Sequence, residues 1–159
     1  MARAIMADAF GPPESYEIRE HDPGPPKDGE LRIAIKAAGV SYVDVLTAMG
    51  DYQFKPPLPF IPGSEYAGVV AAVGEGVTGF ACGDRVFGSA LGGLFAEAIN
   101  LPARSVSHMP DALNFAEAAV FPVNYQTALY ALANRGRLQA GETLLVLGAA
   151  GVTGFAAVQ

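Results

Sequence analysis

The clearest pattern in the chain is Glu30-Leu-Arg-Ile-Ala-Ile-Lys36, where apolar and polar positions alternate strictly. Leu31, Ile33 and Ile35 fall on one face and Arg32 and Lys36 on the other, the period of a half-buried strand. Upstream, Arg3–Phe10 and Ser15–His21 are strand-like runs split by Gly11-Pro12-Pro13, a turn signal. The stretch Asp22-Pro-Gly-Pro-Pro-Lys-Asp-Gly29 is too rich in proline and glycine for regular structure and reads as a loop. Ser41 reads as the N-cap of a short helix, with Val43, Leu46 and Thr47 at helical spacing and Gly50 as its stop.

Beyond the rigid, extended Lys55–Pro62 segment, the pattern returns to strands. Tyr66–Val73 ends at Gly74-Glu-Gly76, Gly83–Phe87 is a tight turn feeding a strand, and Gly93–Asn100 and Ser105–His108 follow. Short strands at this spacing, with turns between them, predict a small closed or nearly closed β-domain. The character changes near Asp111. Leu113–Phe121 and Asn124–Asn134 predict two helices separated by Pro122, the second stopped at Gly136 and presenting Ala128, Leu129 and Leu132 as its apolar face. After the linker Leu138–Glu142, Thr143–Leu147 reads as a short, wholly apolar strand of the parallel-sheet kind.

That strand runs into Gly148-Ala-Ala-Gly151-Val-Thr-Gly154 and a helical pattern. Strand, glycine turn and helix in this order open a dinucleotide-binding unit, because glycines let backbone N–H groups approach a pyrophosphate. The spacing is G-x-x-G-x-x-G rather than G-x-G-x-x-G, so a plain tight turn is the competing reading. A full strand–helix–strand unit takes roughly 30 residues, whereas eight follow Gly151. The expectation is a cofactor domain represented only by its start. The ribose-reading acidic residue, expected about 20 residues further on, falls outside the sequence, so the residues leave NAD and NADP both open.

Composition narrows the function classes. With 51% hydrophobic and 16% charged residues, the chain can bury a core. The net charge of −6, without any Lys/Arg cluster, argues against a nucleic-acid partner. The single Cys82 excludes an internal disulfide and a Cys-rich zinc knuckle. Asp8 interrupts the N-terminal apolar run too early for a signal peptide, and Pro122 or glycines interrupt the two long uncharged stretches. The expectation is a soluble, cytoplasmic protein without a membrane partner.

Candidate chemistry is sparse. Asp44 suits the start of a helix dipole, and Glu65, set in an apolar run, needs partners if buried. A catalytic zinc site needs three ligands, whereas the chain has one Cys and two unpaired histidines, His21 and His108. Nucleophilic catalysis lacks a G-x-S-x-G elbow, and Cys82 has no basic neighbour before Arg85. Tyr42, Tyr52 and Tyr125 sit in irregular or capping segments where a hydroxyl can face a cleft.

Taken in order, Gly39-Val-Ser-Tyr-Val-Asp44, Pro62-Gly-Ser-Glu-Tyr-Ala-Gly68, Val73-Gly74, Gly83-Asp-Arg-Val86, Gly93-Leu-Phe-Ala-Glu97, Tyr125-Gln-Thr-Ala128, Gly141-Glu142 and Gly148-Ala-Ala-Gly151 resemble the medium-chain dehydrogenase/reductases. Within that superfamily they look like the zinc-free quinone oxidoreductase (zeta-crystallin-like) branch. The resemblance spans essentially the whole chain. It implies a mainly β fold with short helices: a GroES-like, partly open β-barrel over residues 1–120, then connecting helices and the start of a Rossmann cofactor domain over 121–159. The zinc alcohol dehydrogenases place Cys where Ser41 stands and His where Ser64 stands, so the resemblance, like the ligand count, implies no zinc.

By the same resemblance the activity is NADPH-dependent hydride transfer to a small-molecule quinone or enone, with the protein positioning the partners and excluding water. Tyr52 is then the catalytic candidate, donating a hydrogen bond to the reduced oxygen. Ser41, Tyr42, Thr127, Ala150, Gly151 and Val152 are the cofactor-side candidates. Two departures stand out: the branch often has Asn at Ser41, and it usually reads Ala-Ala-Gly-Gly-Val-Gly where this chain has Ala149-Ala-Gly-Val-Thr-Gly154. The isolated chain is expected to be inactive, and its Leu144–Leu147 strand, lacking a following strand, to be disordered or to drive homo-oligomerisation. Two other readings share these blocks: a stand-alone GroES-like binding or assembly module, and an enoyl-reductase domain fragment of a larger synthase.

Overall fold

The computed structural model describes every residue from Met1 to Gln159 and divides into two compact units, Met1–Val120 and Phe121–Gln159. The first unit is mainly β with short helices. Strands β1 (Ala2–Met6) and β2 (Glu17–His21) form an antiparallel hairpin. A five-stranded antiparallel sheet has the order β6-β3-β4-β5-β7, built from β3 (Glu30–Gly39), β4 (Glu65–Val73), β5 (Arg85–Ser89), β6 (Ala98–Pro102) and β7 (Ser107–His108). The sheets are open rather than closed into a barrel. Isolated bridges, Ala4↔Ala96 and Ala7↔Phe60, tie the hairpin and the residue after β1 to segments outside the five-stranded sheet.

The alternation of β3 is realised. Leu31 and Ile33 are fully buried and join Tyr66, Val70, Val86, Leu94, Leu101 and Val106 in the main core, with Ile35 packed beside them. Arg32 points away and donates from Nε to Asn100 Oδ1 at 2.7 Å. Asn100 Nδ2 in turn donates to the Pro23 carbonyl at 2.9 Å. This clamp fits a proline-rich loop, which has carbonyl acceptors but few N–H donors of its own.

The opposite face of β4 carries Ala67, which packs with Met109, Ala118 and Ala119 in a second cluster. The last two residues belong to helix α2 (Phe115–Ala119), capped by Asn114, whose Oδ1 accepts from the Glu117 N–H while its own N–H donates to Glu117. Small residues let this helix sit close. A Cβ on Gly39 would stand 2.6 Å from the Ala119 carbonyl oxygen of α2; between the strands, one on Gly68 would stand 2.4 Å from the Ala34 carbonyl oxygen of β3. β4 is therefore buried on both faces and limited to small residues at its closest contacts.

Several boundaries differ from the sequence reading. β1 ends at Met6, not Phe10, because Ala7 leaves the hairpin to bridge Phe60. β6 begins only at Ala98: Gly92 and Gly93 adopt positive φ, and Ala96 makes a single bridge. Helix α1 runs Tyr42–Met49 with Ser41 as N-cap and a left-handed Gly50 at its end, as the pattern implied.

Two helices do occupy the stretches predicted on either side of Pro122, but Pro122 opens the second of them rather than standing between them. Helix α3 (Pro122–Leu129) uses it at the first turn, where its missing N–H costs nothing, and continues as a π-helix over Tyr130–Arg135. Ala128 is buried there, but Leu129 is exposed, so the expected apolar face is only partly used. The expected strand Thr143–Leu147 is absent: this segment has no ladder partner, and Leu145 and Leu147 are largely exposed. An apolar β segment without a neighbour to exchange N–H and C=O bonds gains nothing from the strand state. Helix α4 (Val152–Val158) follows the glycine turn and packs on α3.

Two predictions follow from this packing. Tyr66 is fully buried and its hydroxyl has no hydrogen-bond partner, while burial pushes its pKa upward. Tyr66→Phe removes a desolvated polar group, so the unfolding free energy should rise by about 1 kcal/mol, read as a higher urea midpoint; a fall would show that the hydroxyl is bonded in solution. In the hairpin, hydrogen bonds from Arg19 and Arg3 hold the Asp8 and Glu97 carboxyls below the usual carboxylate range. Depressed carboxyls stabilise the fold above their unfolded pKa values, and that contribution is lost as pH falls through the folded values. Amide exchange in β1 and β2 should therefore lose protection on acidification before β3 and β4 do.

Candidate functional site

The register of the β3–β4 ladder builds the polar centre of the first unit. Gly39, the last residue of β3, pairs with Glu65, the first of β4. The chain leaves β3 through Val40 to Ser41 and enters β4 from Ser64, so the two serines are delivered side by side. Their hydroxyl oxygens stand 3.4 Å apart. Ser41 caps α1, and Asp44 at its third position folds back on the cap. Asp44 Oδ2 accepts from the Ser41 N–H at 2.7 Å and from the Ser41 hydroxyl at 3.1 Å. Such a reciprocal cap satisfies orphan donors and places a carboxylate at the positive end of the helix dipole. Asp44, Ser64 and Glu65 are all buried, Glu65 almost completely.

The remaining candidates distribute as follows. Tyr42 is the first helical residue of α1 and is exposed. Tyr52 lies just past the left-handed Gly50, half-buried, with its N–H donating to the Leu46 carbonyl at 3.1 Å. Ser41, Tyr42 and Tyr52 thus share one helix and its exit turn. Thr127, Ala150, Gly151 and Val152 belong to the second unit and are exposed. There Gly148 is left-handed, Gly151 caps α4, and Val152 is its first residue. A Cβ on Gly154 would lie 2.3 Å from the Gly148 carbonyl oxygen. That close turn-to-helix contact is the role of the third glycine in a dinucleotide turn, so these residues fit such a group. The turn is braced by Thr153 Oγ1 donating to Asn124 Oδ1 at 3.1 Å and by Tyr125, whose hydroxyl donates to Gln159 Oε1 at 2.6 Å. Tyr125, expected to face a cleft, serves this contact instead.

Nowhere in the chain do three His, Cys, Asp or Glu side chains gather with metal-binding geometry. Cys82 lies exposed in a surface turn, and no helix is long and apolar enough to cross a membrane. Sequence reasoning did not anticipate the small cavity beneath α1, whose walls come from several separate segments.

Residues 27–111 match the alcohol dehydrogenase GroES-like domain. The chain belongs to this family. It corresponds to the N-terminal region of medium-chain dehydrogenase/reductases of the quinone oxidoreductase-like and VAT-1 type. It is 38% identical to the human synaptic vesicle membrane protein VAT-1 homolog over 161 residues, covering 100% of this chain and 41% of that protein. With the mouse quinone oxidoreductase-like protein 2 it shares 40% identity over 141 residues, 89% of this chain and 40% of that protein. A mycobacterial protein solved in complex with NADPH superposes with a TM-score of 0.87 at 33% identity, covering 98% of this chain and 48% of that one. The GroES-like chain thus spans about two fifths of the length of these curated relatives.

The packing behind the site is testable. Gly39→Ala drives a methyl group against the Ala119 carbonyl and the Glu65 Cβ. Overpacking against backbone costs about 1–3 kcal/mol. The thermal midpoint should fall, with shifted amide resonances at Ser41, Ser64 and Glu65; an unchanged midpoint would show that α2 yields freely.

Proposed function

We propose that this chain is the substrate-side part of an NADPH-dependent, zinc-independent oxidoreductase acting on a quinone or conjugated enone. One observation carries the reading: the ladder register brings Ser41 and Ser64 together at 3.4 Å, where the zinc alcohol dehydrogenases resembled by this chain carry Cys and His. Two hydroxyls cannot replace a thiolate and an imidazole as zinc ligands. They can hydrogen-bond an oxygen. The quinone oxidoreductase-like relatives and the NADPH-bound neighbour support the chemistry.

When bound, the nicotinamide supplies the hydride. The chain's own part is to bind, orient and protect. Tyr52 donates a hydrogen bond to the oxygen on which negative charge develops, the kind of preorganised contact that stabilises a transition state. Ser41 and Tyr42, fixed by the α1 cap, are the first unit's candidates for the nicotinamide end, and Thr127 is the second unit's candidate by the family resemblance. Ala150, Gly151 and Val152 offer the pyrophosphate a glycine turn and the start of α4. An activated carbonyl is already electrophilic, so positioning and water exclusion suffice without a Lewis acid.

The test compares the longer protein containing this chain with the 159-residue chain alone, following nicotinamide absorbance with benzoquinone and an enone. The longer protein should turn over, unaffected by chelator, and Tyr52→Phe should lower kcat/KM by about tenfold or more. The chain alone should be inert. Absence of turnover with either acceptor in the longer protein would reject the reading, and loss of activity on chelation would reject its zinc-independent part.

A further inference from the structure

The first unit carries a strand edge without a neighbour. β4 follows β3 as far as Gly39, whereas β6 follows it only from Glu30 to Ala34. The last bond on the β6 side runs from the Ile35 N–H to the Glu97 carbonyl at 2.9 Å. Residues 95–97, just before β6, bond to β1 instead: Ile5 N–H donates to the Phe95 carbonyl at 2.9 Å and Glu97 N–H to the Arg3 carbonyl at 2.8 Å. Where the two part, an apolar groove of about 420 Å³ opens, with Ala4, Ile5, Ile18, Ala38, Val40 and Phe95 in its walls. Ile18 and Val40 are 70% and 76% exposed, so water meets apolar side chains there. An open edge beside such a groove is a template for another strand.

The second unit carries a strand-forming segment without an edge. Thr143–Leu147 is uncharged, and no ladder holds it. Leu145 and Leu147 are 80% and 85% exposed. In an extended chain these two project to the same side, as Ala38 and Val40 do in β3. The stretch Lys36–Val40 has the same number of residues as Thr143–Leu147, so the two match in extended length. Charge agrees as well. The charged residues lining the groove, Arg3 and Glu97, bond to each other, through Arg3 Nε to Glu97 Oε1 at 2.9 Å and the Arg3 N–H to Oε2 at 2.8 Å. The groove therefore presents no unbalanced charge, which suits an uncharged occupant.

We propose that the 159-residue chain associates head to tail, with Thr143–Leu147 of one copy adding as a strand beside Lys36–Val40 of a second. Backbone N–H and C=O groups on both segments gain partners, and Leu145 and Leu147 cover Ala38, Val40 and Ile18. Donor and acceptor are different surfaces of the chain, so the contact is heterologous: each pair keeps one free donor segment and one free groove. The proposal supplies the acceptor for the apolar segment before the glycine turn, and it does not rest on the oxidoreductase reading.

The experiment is sedimentation velocity of the 159-residue chain over a concentration series, with amide exchange at the two ends of the series. Mass should rise with concentration, and amides in 36–40 and 144–147 should gain protection together. Leu145→Lys puts a charge on the donor and Val40→Lys puts one in the groove; each should weaken self-association by about tenfold or more. Both side chains are exposed, so the thermal midpoints should stay unchanged. An equimolar mixture of the two variants retains one intact segment and one intact groove, and it should form a dimer that grows no further. A monomer at every concentration would overturn the proposal. Unweakened association of Val40→Lys would overturn the groove as acceptor, and a mixture that stays monomeric would overturn the head-to-tail pairing.

Discussion

The pairing of Gly39 with Glu65 is the contact on which the first unit depends. It ends one strand and begins another at the same level, so the residues just outside the ladder, Ser41 and Ser64, have no freedom to separate. The pairing also requires that nothing larger than hydrogen occupy position 39, because the Ala119 carbonyl lies where a methyl group would go. Sheet register, helix docking and the polar centre are thus one constraint. A one-residue slip in β3 against β4 would turn Leu31 and Ile33 out of the core and pull the two serines apart together.

The same constraint explains the composition of β4. A strand covered on both faces, by the main core on one side and α2 on the other, reads as a continuous apolar run with small residues where backbones approach. Glu65 is the exception, a buried carboxylate at the entrance of that run. Its position at the end of the ladder, beside the capped helix, ties it to the polar centre rather than to the core. Asp44 completes the arrangement from the helix side, since its carboxylate fixes the cap.

What the sequence made legible follows from how local each signal is. The alternation of Leu31, Ile33 and Ile35, the Ser41 cap with Asp44 and the Gly50 stop depend on residues within a few positions of one another, and they were read correctly. The order of short strands was likewise legible, but their edges moved where tertiary bridges intervened, as at Ala7 and Ala96. Leu144–Leu147 was misread for a deeper reason. Its apolar run describes the environment that a strand would need, and a strand also requires a partner ladder that these residues cannot provide for one another. Pro122 was read as a break when its fixed φ and missing N–H equally suit a helix start.

The candidate site was legible only in part because its members answer to different ranges of sequence. Ser41 and Ser64 are 23 positions apart, and only the ladder register makes them neighbours. The cavity under α1 is harder still: Ile5, Tyr16, Val40, Asp44 and Phe95 carry no common motif. None of them signals a site alone, since apolar residues with one carboxylate among them describe most helix–sheet contacts. The distinguishing fact is bonding rather than composition. Both Ser41 donors fall on one oxygen of Asp44, which locks the carboxylate to the start of the helix. That lock arises from the cap geometry at the start of α1, which the Gly39–Glu65 pairing holds in place.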